Sequence, residues 1–75
     1  MPTTRDIIDA LGGIPTVAEK ICVETYIVDN WMRPYRRIGA YYWGDILILA
    51  RKQKISWITL DVLKEAKGAY AKDKA

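Results

Sequence analysis

The stretch Gly12–Met32, GGIPTVAEKICVETYIVDNWM, decides the fold. Its two glycines break the segment before them. Pro15 then stands at a first helical position, and Val17, Ala18 and Ile21 recur at helical spacing up to Cys22. After Cys22 and Val23 a new helix is expected at Glu24 or Thr25, either of which can accept hydrogen bonds from the unpaired amides of a first turn. It runs through Ile27, Val28 and Trp31 to Met32 or Arg33, where Pro34 stops it. Two helices crossing at a tight turn need a small residue where they touch and apolar residues around it. Ala18 supplies the first, and Val17, Ile21, Val23, Val28 and Trp31 the second.

Outward from this pair the chain stays helical in its patterning. Towards the N-terminus, Thr3 or Thr4 can cap a helix with Asp6 in its first turn and Ile7, Ile8 and Leu11 on one face. Beyond Pro34, a loop carrying Tyr35, Arg36 and Arg37 leads to a fourth helix over Ala40 to Gln53, with Trp43, Ile46, Leu47 and Ala50 as its inner face. Apolar residues from Ile55 to Leu63 predict a short link and a fifth helix from Thr59. Ile55 to Thr59 is the one segment where a strand remains an alternative. Residues 1–66 therefore form a single all-α domain of five helices, and a Lys-rich tail over 67–75 is expected to fray.

Composition narrows the class. At 51% hydrophobic and 28% charged, with three Trp and five Tyr, the chain has the makings of a packed core and not of a disordered segment. Its longest apolar runs, such as Ile46 to Ala50, are too short to span a bilayer and no signal sequence opens it, so a cytoplasmic location is expected. Cys22 is the lone cysteine and there is no histidine, which excludes an internal disulfide and the usual zinc ligand sets. Cys22 itself reads as a small buried hydrophobe.

The net charge of +3 is unevenly spread. Up to residue 30, Arg5 and Lys20 face Asp6, Asp9, Glu19, Glu24 and Asp29. From 31 to 54, Arg33, Arg36, Arg37, Arg51, Lys52 and Lys54 face only Asp45. A localised basic segment is a footprint for a polyanion.

The ordered set Gly12-Gly13, Val17-Ala18, Val23 and Val28-Asp29-Asn30-Trp31 resembles the Cro and YdaS-like helix-turn-helix family of phage and prophage transcriptional regulators. The likeness continues through Arg33, Arg37-Ile38 and Tyr42-Trp43 to Ile55-Ser56-Trp57-Ile58-Thr59-Leu60, and so covers about Asp6 to Leu63. Two positions depart from the pattern. Cys22 stands in the turn where the family usually has glycine, so either it adopts a left-handed or strained conformation at some cost or the turn differs slightly. Glu24 opens the third helix where a small hydroxyl residue is commoner.

The resemblance implies a lambda-repressor-like, Cro-type domain whose third helix lies in the major groove of double-stranded DNA. Its outward residues would then be Glu24, Thr25, Tyr26, Asp29 and Asn30. Asn30 suits adenine, Thr25 and Tyr26 a phosphate or thymine, and Glu24 or Asp29 either cytosine N4 or a surface ion pair. Arg33, Arg36 and Arg37 would supply phosphate attraction, joined by Thr16 and the amides opening the second helix. A homodimer on a palindromic operator is implied, with Tyr41, Tyr42, Trp57 and the fifth helix as candidate dimer surfaces. The expected role is that of a repressor, nucleoid-associated and without a cofactor. No side chain is poised for enzymatic catalysis: no Ser or Cys sits beside a base, and no phosphate loop is present. The rival expectation keeps the fold but has the Tyr and Trp surface grip a partner protein, as in an antitoxin or antirepressor.

Overall fold

The computed structural model describes residues 2–34 and 36–66. The predicted tail over 67–75 lies outside the described residues. Helices α1 (Thr4–Ala10), α2 (Ile14–Ile21), α3 (Thr25–Trp31), α4 (Trp43–Lys52) and α5 (Leu60–Glu65) follow in order, with a 3₁₀ turn at Ala40–Tyr42 leading into α4. There is no strand among the described residues. The expected all-α class and the five helices are present. Ile55 to Thr59, where β was an alternative, is turn and irregular chain.

Local chemistry sets each start. Thr3 caps α1 reciprocally with Asp6: the Thr3 hydroxyl accepts from the Asp6 amide at 3.2 Å, and the Asp6 carboxylate accepts from the Thr3 amide at 2.9 Å. Pro15 falls in the first turn of α2. Thr59 caps α5 by accepting from the Val62 amide.

Three helices end in the same way. Gly13, Val23 and Ile55 each donate from the backbone amide to the carbonyl five residues back, those of Ile8, Ala18 and Ala50, at 2.9 Å. The residue before each donor is left-handed or nearly so: Gly12 with φ 117°, Cys22 with φ 61°, Lys54 with φ 60°. These are Schellman closures, which satisfy carbonyls that a helix C-terminus would otherwise leave bare.

This motif also corrects the reading of Cys22, which is exposed, not buried. In a Schellman closure the left-handed residue sits at the helix tip, while the next one turns back to pack on the last turn. Val23, half-buried behind Ala18, holds the inward position.

One core joins all five helices. Ile7, Ile8 and Leu11 of the first segment meet Val17 and Ala18 of α2, Val28 and Trp31 of α3, Ile46, Leu49 and Ala50 of α4, and Leu63 of α5. Fully burying one such aliphatic side chain stabilises the fold by roughly 1.5–3 kcal/mol. The fourth helix differs from expectation in two respects. It begins as a 3₁₀ turn, and its buried face is Ile46, Leu49 and Ala50, with Trp43 and Leu47 only half-buried. Trp43 is held at this margin by its indole N–H, which donates to the Ile38 carbonyl at 2.8 Å and so must stay near the backbone of the preceding loop.

Candidate nucleic-acid interface

Helix α3 owes its orientation to its inner side. Val28 and Trp31 are buried, Met32 just beyond is buried too, and the Trp31 ring lies 5.3 Å from that of Tyr42. With that side fixed, helical spacing of about 100° per residue places Tyr26, Asn30 and Arg33 along the opposite side. All three are exposed, and Tyr26 retains 65% of its surface. Glu24 and Thr25, at the start of the helix, are exposed as well, and Asp29 is half-buried. The α2–α3 pair is the most closely associated in the molecule, and only residues 22–24 separate the two helices.

Glu24 does stand at the N-cap of α3, but its side chain makes no capping hydrogen bond. Its carboxylate has one methylene more than that of aspartate, which carries it past the amides that the shorter side chain reaches. The first-turn amides of α3 are therefore met by the Glu24 carbonyl, which accepts from the Ile27 amide at 3.0 Å, and not by its carboxylate.

The arginines divide by what they hold. Arg33 donates to the Asp29 carboxylate at 3.0 Å, a pair one helical turn apart on the exposed face. Arg37 donates to the backbone carbonyl of Lys64 at 2.6 Å, tying the loop after α3 to the end of α5. Arg36 is exposed between them, and its backbone amide closes a turn onto the Arg33 carbonyl at 3.0 Å. The positive charge expected beside α3 is thus adjacent to it in the chain. Arg33 shares its charge with Asp29, and Arg37 has a structural duty that its position in the sequence did not announce.

Thr16 is half-buried in the first turn of α2, its methyl pressed towards Gly12: a Cβ added to Gly12 would stand 2.9 Å from Thr16 Cγ2. Among the surface aromatics, Tyr41 is 88% and Trp57 42% exposed, whereas Tyr42 is half-buried between Trp31 and Tyr41. Tyr42 therefore serves the core side of the loop, and is a poor candidate for a free dimer surface. Among the described residues no group of His, Cys, Asp or Glu is placed to hold a metal ion, and no helix is long and apolar enough to cross a membrane. No family model, curated protein or solved structure matches this chain.

Proposed function

We propose that this protein is a sequence-specific double-stranded DNA-binding transcriptional regulator, a Cro-like repressor that grips a palindromic operator as a dimer through a lambda-repressor-like helix-turn-helix. One observation carries the reading: α3 is clamped by Val28 and Trp31 while Tyr26, Asn30 and Arg33 form an exposed line on its other side, running directly into Arg36. That is the form of a recognition helix, with a rigid back and a polar front able to meet base edges in a major groove.

In this reading Asn30 pairs with adenine N6 and N7, while Thr25 and Tyr26 contact a thymine methyl or a phosphate. The Asp29–Arg33 pair holds the guanidinium in place for a guanine or the backbone. Arg36, and Arg37 where its anchor permits, supply phosphate attraction, and Thr16 with the opening amides of α2 adds one more phosphate contact. Glu24 accepts from cytosine or faces solvent. A protomer measuring 35 × 25 × 20 Å is of a size to stand beside a second one with reading helices about 34 Å apart, one turn of the duplex.

Selection of bound sequences from a random duplex pool, followed by salt titration, tests the reading. Recovery of a palindrome and affinity that falls steeply with salt are expected. Asn30→Ala should lose selectivity, whereas Arg36→Ala should weaken binding to all sequences and reduce the salt slope by about 1. Absence of duplex binding at low salt refutes the proposal. The competing role, an antitoxin or antirepressor that grips a partner protein, draws on the acidic residues of α3 and on the exposure of Tyr26 and Tyr41. It predicts binding insensitive to salt.

A further inference from the structure

Helix α4 turns Ile46, Leu49 and Ala50 to the core, and its opposite face carries one exposed aliphatic residue among charged ones. Ile48, at the middle of that face, is 56% exposed, and Tyr41, in the 3₁₀ turn before the helix, is 88% exposed. Gly44 lies between them with nothing within 4 Å of where a Cβ would stand. The charges on this helix are sorted by end: Asp45 is in the first turn, Arg51 and Lys52 in the last.

We infer that this face packs against the same face of a second copy of the chain, α4 antiparallel to α4, about a two-fold axis at Ile48. The symmetry dictates the contacts, because an isologous interface pairs each residue with one at the mirrored position along the helix. At about 100° per residue, Asp45 and Lys52 fall on one side of Ile48, and Gly44 and Arg51 on the other. The two-fold keeps these sides in register while reversing the helix direction. Ile48 meets its own counterpart, Asp45 meets the partner's Lys52, and Arg51 crosses the bare backbone of the partner's Gly44.

A parallel arrangement, whose two-fold exchanges the two sides, would set Lys52 against the partner's Arg51, so the charges favour a second copy in this orientation, and opposed helix dipoles favour it too. Ten residues give a contact about 15 Å long, well below a standard interface, so the dimer is weak, with Kd on the order of 10–100 µM. Adjacent half-sites on an operator would complete it. The inference rests on the dimeric part of the function proposed above but not on DNA binding.

Sedimentation equilibrium of the full chain without DNA tests it, with Asp45→Lys, Lys52→Asp, their equimolar mixture, and one chain carrying both changes. Each single variant places like charges at both symmetric contacts and should weaken self-association about tenfold or more. The mixture forms a heterodimer in which both contacts are again opposite in sign, and the doubly changed chain restores them in its homodimer. Both should return to within about threefold of the original. Thermal melts of all variants identify any loss of fold, and the mixture excludes it as the cause, because an unfolded variant could not be rescued. A chain that stays monomeric at about 1 mM overturns the inference, as do single variants that associate undiminished or are not rescued. Duplex binding read in parallel keeps the two claims apart: rescue without DNA binding sinks the repressor and spares the dimer, and the converse outcome does the reverse.

Discussion

Replacing Cys22 by glycine should stabilise the protein. Cys22 has φ 61° and ψ 49°, and its side chain is exposed. A residue with a Cβ gives up about 1–2 kcal/mol to occupy that left-handed conformation, because the Cβ crowds the following carbonyl. Glycine avoids this strain but loses more freedom on folding, roughly 0.5–1 kcal/mol. No buried contact of the thiol offsets the balance, so Cys22→Gly should gain about 0.5–1 kcal/mol and raise Tm by roughly 2–8 °C for a domain of this size. Cys22→Ala keeps the Cβ and should leave Tm near its original value, while Cys22→Val, branched at Cβ, should lower it. Differential scanning calorimetry of the three variants gives the order directly. If Cys22→Gly melts no higher than Cys22→Ala, the Schellman account of the turn between α2 and α3 is wrong.

Other expectations follow from single residues. Gly12→Ala, at φ 117° and with Thr16 Cγ2 at 2.9 Å from the new Cβ, should cost about 2 kcal/mol or more in urea denaturation. Thr4 is fully buried and its hydroxyl has no hydrogen-bond partner among the described residues, so Thr4→Val should gain about 1 kcal/mol in the same assay; a loss would mean the hydroxyl is satisfied in solution. Arg37→Ala removes the hydrogen bond to the Lys64 carbonyl and should cost about 1 kcal/mol after allowance for its exposure, whereas Arg36→Ala should leave stability within about 0.5 kcal/mol. Equal melting of the two variants would deny Arg37 its structural role.

The starts of α1, α2 and α5 were legible because each is a local signal. Thr3 with Asp6, Pro15, and Thr59 announce them within four residues. The left-handed turn at Cys22 was one of the two outcomes that the family resemblance implied, since Cys22 stands where that family usually has glycine, although the direction of its side chain was not legible. That direction depends on the Val23 amide reaching Ala18, a backbone bond that composition does not encode. The outward set on α3 could be read from spacing, because Val28 and Trp31 fix the opposite side. Burial of Met32, Ile38 and Ala66 was not foreseen, since all three lie at helix ends or in loops where periodicity is silent. Nor could spacing reveal that Arg37 reaches Lys64, or that the Gln53 amide donates to the Leu11 carbonyl at 3.1 Å across most of the chain. Such contacts exist only once the core has brought distant segments together.

Those long reaches share a property with Trp43 and its bond to Ile38: in each, a side chain addresses a main-chain carbonyl. The donor must therefore remain Arg37, Trp43 or Gln53, or something that imitates it. The acceptor is a peptide group that every residue type provides. Position 64 is thus free to drift in evolution without breaking the tie, and positions 11 and 38 answer only to packing. Substitution tolerance should be lopsided across each of these bonds, with one end invariant in chemistry and the other nearly indifferent to it.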